Sequence, residues 1–305
     1  MMSTTDDNEH HDNDTCANCG KEGGNLNTCK RCKVVKYCNA ACKKKHRSKH
    51  KKKCDRRVAE MHDEKLFKQP PLEDCPICFL TLPSLSTGSK YNSCCGKIIC
   101  SGCIYAPVYD NNGNKVEKKC PFCRALPPTS GEELIRRTRK RVKIGDAEAI
   151  NCLGGYYAEA LNGLTQDVDK ALELWHRAGE LGHVHSYYNI GNAYSSGRGV
   201  GRDMKKATHY WGLAAMGGYP NARHNLGIFE ERAENYDRAL KHYMNAVEGG
   251  YNNSLKTIKQ MYSYGHAAKA DYAKALQTYQ EYLSEIKSDQ RDKAAESSEN
   301  YKYYV

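Results

Sequence analysis

Three cysteine-rich stretches decide the fold of the central part of this chain: CPIC at 75–78, CCGKIICSGC at 94–103 and CPFCR at 120–124. Two cysteines separated by two residues direct two thiolates at one tetrahedral zinc ion. Together the stretches hold four cysteine pairs, and no histidine occurs between His62 and His176. Cysteines must therefore supply every ligand of two zinc sites in this region.

The four pairs resemble the all-cysteine form of the RING finger over roughly residues 72–126. In that family, alternate pairs share an ion in a cross-brace. The resemblance implies one site made of Cys75, Cys78, Cys100 and Cys103 and another made of Cys94, Cys95, Cys120 and Cys123. The adjacent ligands of the second site require a backbone kink, for which Gly96 is suited.

RING fingers bind a ubiquitin-conjugating enzyme and order its ubiquitin thioester, without a covalent catalytic residue. The resemblance implies that Ile77 and Pro121, inside two of the pairs, contact that enzyme, as does Arg124, which follows the last cysteine. A planar guanidinium can bridge two carbonyl groups at once. In the alternative, an interaction-only finger, Ile77 and Pro121 only shape the zinc turns and Arg124 is a solvated surface residue.

The spacer before Cys120 departs from the RING pattern. Pro107 is expected to shorten the helix that usually adds a bulky contact. Asn112-Gly113 predicts a tight hairpin turn. The spacer is not a calcium loop, because Lys115 occupies the position that such a loop reserves for glycine.

An earlier region, residues 16–54, has a second set of ligand spacings and resembles the MYND zinc finger. That resemblance implies one zinc site made of Cys16, Cys19, Cys38 and Cys42 and another made of Cys29, Cys32, His50 and Cys54. MYND fingers bind proteins, often through proline-containing peptides. Arg47 stands where the family usually has an aromatic residue, which leaves the peptide specificity open.

Cys42, His46, His50 and Cys54 follow one another at four-residue steps. Cys38 and Cys42 form one pair of ligands at i and i+4, and His50 and Cys54 form another, which places both ligands of a pair on one face of a helical turn. Each four-residue step drifts by about 40° around a helix, so the two pairs should face different ions. We therefore predict two short helices, one for each zinc ion. His46 is predicted to be an exposed helical residue and not a ligand.

Two segments are densely basic, residues 43–57 and the helix predicted at 130–144. The first could be a localisation or nucleic-acid patch, or a solvated face of a zinc-finger helix. The second could be a localisation signal or a rigid solvated spacer. The first has few aromatic residues among its lysines, which disfavours stacking on single-stranded nucleic acid. Ser130-Gly131-Glu132-Glu133 predicts a capping box at the start of the second.

From residue 145 the sequence repeats itself: CLGGYY at 152, YNIGNAY at 188 and HNLGIFE at 224, with a weaker fourth copy near Asp271. Repeats of this length with paired amphipathic helices predict an α/α-solenoid, since each pair must stack on its neighbours to bury its apolar face. The segments resemble Sel-one-like repeats, relatives of the tetratricopeptide repeat that hold partner proteins. Cys152 is predicted to be a buried structural thiol.

The predicted fold class is multidomain: two small zinc-stabilised fingers followed by an all-α α/α-solenoid. The predicted segments are a disordered start at 1–15, fingers at 16–54 and 72–126 with a linker at 55–71, the basic helix at 130–144, repeats at 145–287 and a disordered tail at 288–305. This order of modules resembles a protein family found in algae such as diatoms.

The formal charge of the 305 residues is +11, with sixteen cysteines. Four zinc ions bound by fifteen thiolates would lower that charge to about +4, so global basicity does not argue for nucleic-acid binding. Zinc-bound thiolates indicate a reducing compartment, cytoplasm or nucleus. We find neither a signal peptide nor a membrane-spanning stretch.

Three functions remain open at this point. The first is a RING-type ubiquitin-protein ligase that recruits substrates through the MYND finger or the repeats. The second is a non-enzymatic adaptor, in which both zinc modules are interaction platforms and the RING-like part never meets ubiquitin. The third is a nuclear co-regulator that uses the basic segments for localisation or nucleic-acid contact. Metal hydrolysis is disfavoured, because four protein ligands on each zinc ion leave no position for water.

Overall fold

A computed structural model of the chain describes residues 15–23, 25–84, 88–106 and 119–303. The chain divides into two compact units, Met1–Leu66 and Phe67–Val305, which are taken separately below. The expectations for the start of the chain up to residue 14, for Pro107, for Asn112-Gly113 and for Lys115 lie outside the described residues.

The first unit is a β-hairpin followed by one long helix. Strands β1 (Asn27–Thr28) and β2 (Lys36–Tyr37) pair antiparallel, and α1 spans Ala40–Leu66. The prediction of two short helices is wrong, because a single helix continues through the whole ligand series. Asn39 starts it, with its Oδ1 accepting a hydrogen bond from the Cys42 N–H at 2.8 Å. No proline or glycine interrupts the helix before Leu66.

The segment predicted as a linker, 55–71, is therefore mostly helical. Only its last residues, which belong to the second unit, lie beyond the helix, and they are hydrogen-bonded to the repeats. The Gln69 side chain donates to the Asn245 carbonyl at 2.7 Å, and the Asn245 side chain donates to the Phe67 carbonyl at 2.9 Å. The Phe67 ring lies 4.7 Å from the His242 ring, centroid to centroid.

The carboxy-terminal part is the predicted helical solenoid. It begins with α3 (Gly131–Lys143) and continues as four helix pairs. The pairs are α4 (Ala147–Ala158) with α5 (Val168–Glu180), α6 (Val184–Ser196) with α7 (Met204–Met216), α8 (Pro220–Arg232) with α9 (Tyr236–Glu248), and α10 (Asn252–Ser263) with α11 (Lys269–Ile286). Each helix packs against the next one along the chain.

A repeated contact between a glycine and an aromatic ring joins the two helices of a pair. A methyl group on Gly154 would lie 2.7 Å from the Trp175 ring, and one on Gly191 would lie 2.5 Å from the Trp211 ring. Gly227 approaches Tyr243 in the same way. The rings are buried, and their polar ends are hydrogen-bonded, for example Trp211 Nε1 to the Asn192 side chain at 3.0 Å. Alanines complete the interface at Ala171, Ala207, Ala239 and Ala275, which are all fully buried.

The basic helix α3 begins at the predicted cap. Ser130 Oγ accepts a hydrogen bond from the Glu133 N–H at 3.2 Å. The carboxylate of Glu133 accepts from the Thr129 N–H at 2.9 Å, one residue before the position that a capping box would use. Ser130 therefore caps the helix as predicted, but the Glu133 carboxylate bonds to the Thr129 N–H and not to the N–H of Ser130.

The second cysteine-rich region belongs to the same unit as the repeats and is called the RING-like finger below, after the resemblance described for its sequence. Strands β3 (Ser89–Asn92) and β4 (Lys97–Cys100) form an antiparallel hairpin, followed by the short helix α2 (Ser101–Tyr105). Cys94, Cys95 and Gly96 occupy the turn of the hairpin. Gly96 has a φ of 72°, the left-handed conformation that the predicted kink required.

The prediction of a disordered tail at 288–305 is wrong for the residues that the structure describes. Residues Asp289–Ser297 form α12, which packs against α2 of the RING-like finger, and a 3-10 turn follows at Glu299–Tyr301. Arg291 is fully buried, and Tyr303, which donates to Asp292, is 3% exposed. The polar composition misled the prediction because the buried contacts are made by an arginine, two alanines and a tyrosine.

None of the helices that the structure describes is both long enough and apolar enough to cross a membrane.

The glycine–aromatic contact yields a stability prediction. We expect Gly191→Ala to lower the free energy of unfolding by about 2 kcal/mol, because the added methyl collides with the buried Trp211 ring. Gly155→Ala is the matched control: it is also helical but has no atom within 4 Å of the added methyl. It should raise the free energy by about 0.5–1 kcal/mol through helix propensity. Urea unfolding followed by tryptophan fluorescence measures both, and equal stabilities would contradict the packing described.

Candidate metal centres

The structure brings the sixteen predicted ligands together in four tetrads, and within each tetrad the ligand atoms lie within 4.8 Å of one another. The first unit contains Cys16, Cys19, Cys38 and Cys42 in one tetrad and Cys29, Cys32, His50 and Cys54 in another. The RING-like finger contains Cys75, Cys78, Cys100 and Cys103 in one tetrad and Cys94, Cys95, Cys120 and Cys123 in the other. Both regions thus have interleaved ligand pairs.

The spacing of the ligand atoms fits a tetrahedral zinc ion. Zn–S bonds of about 2.3 Å place two sulfurs about 3.8 Å apart. The sulfur–sulfur distances are 3.6 Å for Cys19–Cys38, 3.9 Å for Cys29–Cys54, 3.7 Å for Cys78–Cys100 and 3.8 Å for Cys95–Cys120. Cys32 Sγ lies 3.6 Å from His50 Nε2. The donor sets, three with four cysteines and one with a histidine, are those of structural zinc sites.

Four of the cysteine pairs share one backbone turn, here called the cysteine knuckle: Cys16–Gly20, Cys29–Lys33, Cys75–Phe79 and Cys120–Arg124. In each, the last residue has a left-handed φ, between 56° and 71°. Its N–H donates to the carbonyl of the first cysteine at 2.8–3.0 Å. Both thiols of a knuckle therefore face the same side of the turn, and the RING-like finger uses the same turn as the first unit.

Helix α1 supplies ligands to both tetrads of the first unit. Cys42, in its first turn, belongs to one tetrad, whereas His50 and Cys54 belong to the other. The helical rotation between Cys42 and His50 directs the two side chains towards different tetrads, as the sequence predicted. Both residues lie on one helix, however, and not on two. Cys38 precedes the helix, so the expected helical pairing with Cys42 is wrong, but the two sulfurs still lie 3.5 Å apart.

His46 lies outside both tetrads but is not the exposed residue predicted. It is half-buried, and its Nδ1 is 3.1 Å from the hydroxyl of the buried Tyr37. Its ring stacks on His50 at 5.9 Å between centroids. His46 and Tyr37 thus form one wall of the histidine-containing tetrad and restrict the orientation of His50.

The second tetrad of the RING-like finger is held by the junction of α3 and α4. Arg141 donates to the Cys95 carbonyl at 3.0 Å and forms an ion pair with Asp146 at 2.9 Å. Tyr91, on β3, donates to the same carboxylate at 2.9 Å. A side chain on Gly96 would collide with the Arg141 guanidinium, at 1.7 Å from the added carbon. Glycine is therefore required there both by its φ and by the approach of Arg141.

The first tetrad of the RING-like finger is held by α12. The buried guanidinium of Arg291 donates to the carbonyls of Thr81 at 2.8 Å, Ile286 at 2.6 Å and Leu80 at 3.3 Å. Gln290 Oε1 lies 3.9 Å from Cys103 Sγ. Four thiolates around Zn²⁺ carry a net charge of about −2, so a buried cation beside them is electrostatically favourable.

The thiols of this tetrad cannot all ionise without a cation. The hydrogen bond with Cys100 lowers the pKa of Cys75 to about 4. The same hydrogen bond, together with burial, raises the pKa of Cys100, while the guanidinium of Arg291 opposes that rise. In the neighbouring tetrad, burial and hydrogen bonds with Cys123 and Cys120 raise the pKa of Cys94. A divalent ion relieves this repulsion and lets every thiolate form.

The residues predicted to contact a conjugating enzyme all lie in the knuckles of the RING-like finger. Ile77 and Pro121 are half-buried between the cysteines of their knuckles, and Arg124 is exposed at the end of the second. Arg124 has a φ of 62° and makes no ion pair or side-chain hydrogen bond with the residues that the structure describes. Cys152, outside the tetrads, is half-buried and not buried as predicted; its thiol lies 3.6 Å from Glu148 Oε1.

Sequence reasoning missed Arg141 and Arg291, which support the two RING-like tetrads. Arg141 lies in a basic run for which the sequence predicts only a localisation signal or a solvated spacer. Arg291 lies in a segment that the sequence predicts to be disordered. Both donate mainly to backbone carbonyls, and such acceptors leave no pattern in the sequence. The only signal for Arg141 was Gly96, whose missing side chain leaves room for it.

Comparison with protein families identifies two of the modules. The family model of the MYND finger matches residues 16–54, and that of the Sel1 repeat matches residues 147–183, 184–219 and 260–280. The chain therefore contains a MYND finger and a solenoid of Sel1 repeats. The pair α8–α9 lies outside the matched segments but keeps the glycine–aromatic contact.

Two curated relatives and two solved structures are similar to parts of the chain. The ERAD-associated E3 ubiquitin-protein ligase component HRD3B of Arabidopsis thaliana is 36% identical over 84 residues, covering 24% of this chain and 14% of the relative. The E3 ubiquitin-protein ligase DA2 of the same plant is 42% identical over 53 residues, covering 17% of this chain and 12% of the relative. The chain thus matches only a small part of either protein.

Among solved structures, a Sel1 repeat protein from Oxalobacter formigenes is 24% identical, with a TM-score of 0.46, covering 57% of this chain and 68% of that one. A protective antigen of uropathogenic Escherichia coli strains with an SLR fold is 25% identical, with a TM-score of 0.43, covering 54% and 33%.

Together these observations define a zinc-binding protein with protein-interaction modules. The four tetrads and the MYND match are consistent with four structural zinc ions. MYND fingers and Sel1 repeats are both protein-interaction modules.

The tetrads predict the zinc content of single variants. The wild-type protein should bind four zinc ions per chain, and Cys95→Ser should lose the ion of its own tetrad, because serine is a poor zinc ligand. Cys152→Ser is the matched control and should keep all four. Elemental analysis of the purified proteins counts the ions. Full zinc content in Cys95→Ser would show that Cys95 is not a ligand.

The contacts of Arg291 predict that α12 protects the first tetrad of the RING-like finger. Arg291→Ala removes a charged donor from the carbonyls of Thr81, Ile286 and Leu80, of which only that of Leu80 keeps another donor in the described part of the chain, the Cys75 N–H. The change should destabilise the finger locally by about 3 kcal/mol. Zinc transfer to a chromophoric chelator should then become faster on the order of 100-fold for the ions of this finger. The MYND ions serve as an internal reference. Lys293→Ala, an exposed change on the same helix, should have no effect, and unchanged zinc release in Arg291→Ala would refute the protective role.

Proposed function

We propose that this protein is a RING-type ubiquitin-protein ligase, in which the RING-like finger binds a charged ubiquitin-conjugating enzyme and the MYND finger or the Sel1 repeats hold the substrate. The observation that carries the proposal is the interleaving of the two RING-like tetrads around a β-hairpin, with Arg124 exposed directly after the last knuckle.

The proposal assigns separate roles to the zinc ions and to the surface of the finger. Each zinc ion has four protein ligands, so it supports the fold and leaves no position for a substrate or water. Ile77 and Pro121 offer apolar contact to the conjugating enzyme. Arg124 would donate from its planar guanidinium to carbonyl groups of ubiquitin and the enzyme, which orders the thioester for attack by a substrate lysine.

The exposed apolar side chains of the knuckles support a docking role for this finger. Phe79, at the end of the first knuckle, is 77% exposed, and Phe122, within the second, is 45% exposed. Both lie in rigid turns whose backbone is fixed by hydrogen bonds, so they are displayed without a large entropy cost. Large aromatic side chains of this kind are enriched in protein interfaces.

Arg124 occupies the left-handed position at the end of its knuckle, as Lys33 and Phe79 do in two of the others. A left-handed φ is easiest for glycine, and the equivalent position of the first knuckle in the chain is Gly20. Three of the four knuckles therefore carry a side chain at this position, and Arg124 is the one with a guanidinium that can bridge two carbonyl groups. The names of two relatives, an E3 ubiquitin-protein ligase and a component of one, point to the same chemistry.

An adaptor without ubiquitin transfer is the second candidate. It is supported by the two modules that the family models match, since both bind proteins. In this case the RING-like finger would be a third docking surface. The two functions differ at Arg124, which an adaptor does not need.

Autoubiquitination with a panel of conjugating enzymes tests the ligase proposal. Wild-type protein should form ubiquitin chains, and Arg124→Gly should reduce the rate at least roughly tenfold, by removing interactions that order the thioester. Glycine is the sharpest substitution, because it removes the side chain and also relieves the left-handed backbone. Ile77→Ala should likewise lower the rate by weakening the binding of the conjugating enzyme.

Two matched variants control this experiment. Lys33→Ala removes a cation from the equivalent knuckle position of the MYND finger, where φ is 60°, and should leave transfer unchanged. Ile98→Ala shortens another half-buried isoleucine of the RING-like finger. Zinc content is measured for every variant. No transfer by fully zinc-loaded wild-type protein with any conjugating enzyme would favour the adaptor.

A further inference from the structure

One face of α3 forms the wall of a cavity of about 410 Å³, here called the α3 groove. The loop between α4 and α5 closes the other side. The basic and apolar side chains that line the groove belong to Ile135, Arg136, Arg139, Lys140, Lys143 and Leu164. None of them belongs to a zinc tetrad or to the knuckles, so the α3 groove is separate from the site described above.

The positive charge of the α3 groove is not neutralised by its surroundings. Lys140 and Lys143 make no ion pair or side-chain hydrogen bond with the residues that the structure describes. Arg136 lies 3.6 Å from Glu133 Oε1, but that oxygen is already 2.5 Å from Arg137. Glu132 is the single acidic residue among those lining the groove in the described part of the chain. Four cations therefore face one carboxylate.

A further cation extends the patch along the solenoid. Arg139 donates to the hydroxyl of Tyr157 at 3.2 Å. The Lys170 ammonium lies 4.6 Å from the centroid of the same ring. Tyr157 thereby holds two cations beside the groove, on helices that the repeat packing keeps rigid. The arginine is positioned before a ligand arrives, which lowers the entropy cost of binding.

The groove has an apolar floor in addition to its basic wall. Ile135 is 4% exposed and belongs to the core that α3 shares with the first repeat, while Leu164 is half-buried in the loop. Arg136, Lys140 and Lys143 follow one another at helical spacing along one side of this floor. A ligand that fits both features carries negative charge next to an apolar group.

We propose that the α3 groove binds a short acidic segment of a partner protein. Carboxylate or phosphate groups of the segment contact Arg136, Lys140 and Lys143, and an apolar side chain rests on Ile135 and Leu164. This function goes beyond the proposed ligase activity, because binding at the α3 groove requires neither zinc chemistry nor ubiquitin.

The geometry favours a peptide over the other uses of a basic helix. Nucleic acid would need a longer basic track or aromatic stacking platforms, and no aromatic side chain lines the groove in the described part of the chain. A localisation signal must be read as an accessible peptide, whereas α3 is docked in the core through Ile135 and Thr138.

Fluorescence anisotropy with the full-length, zinc-loaded protein tests this proposal. Three labelled peptides of one length alternate leucine with glutamate, with phosphoserine or with glutamine. We expect the first two to bind and the glutamine peptide to bind at least roughly tenfold more weakly, since it lacks charge-assisted contacts. The comparison of glutamate with phosphoserine shows which anionic group the groove prefers.

The double variant Lys140→Ala/Lys143→Ala should weaken binding of the acidic peptides at least roughly tenfold. Its matched control, Lys256→Ala/Lys259→Ala, removes the same charge at the same spacing from exposed positions of α10 and should change affinity less than twofold. Both pairs of lysines are exposed, so neither change should affect folding.

Three results would overturn the proposal. Equal losses in the two double variants would mean that the peptides respond only to overall charge. A single-stranded oligonucleotide of the same charge that binds more tightly than the peptides, and depends on Lys140 and Lys143, would make the groove a nucleic-acid site. Failure of both acidic peptides to bind at low salt would show that the groove takes no such ligand.

Discussion

Ligation of one divalent cation by four thiolates, or by three thiolates and an imidazole, is the constraint on which both fingers depend. Neither finger has room for an apolar core of its own, and the buried residues of each are mainly its cysteines. The cysteine knuckle, a backbone turn that occurs four times, brings two thiols to the same side for one ion. Ionisation of all the thiols needs the metal ion, because thiols packed this closely cannot all become thiolates without it.

The two fingers support their zinc ligands through different contacts. In the MYND finger, α1 gives ligands to both tetrads, and Tyr37 with His46 forms a wall beside His50. The RING-like finger has only the short helix α2, and it takes its support from elsewhere in the unit. Arg141 provides that support from α3, the first helix of the solenoid, and Arg291 provides it from α12, which follows the last helix of the solenoid. The solenoid and the helix that follows it therefore support the RING-like finger.

The sequence was sufficient for features that depend on residue type and spacing. The cysteine pairs predicted the tetrads that the structure assembles, Gly96 predicted the kink between adjacent ligands, and the recurrence of small and aromatic residues predicted the solenoid. The sequence was insufficient where contacts use the backbone or bridge distant residues. Arg291 binds carbonyl oxygens of Leu80 and Thr81, which any residue could provide, and helix α1 continues because nothing in the chain stops it.

The bond from Arg291 to Thr81 joins residues separated by 210 positions in the chain. During translation, the cysteines of the RING-like finger leave the ribosome long before the residue that completes their surroundings. The finger can bind zinc early, but the carbonyls of Leu80 and Thr81 gain the Arg291 guanidinium only after every intervening repeat has been made and stacked. A chain interrupted within the repeats would carry an incomplete finger, so the order of synthesis delays full assembly of the RING-like module until the solenoid is in place.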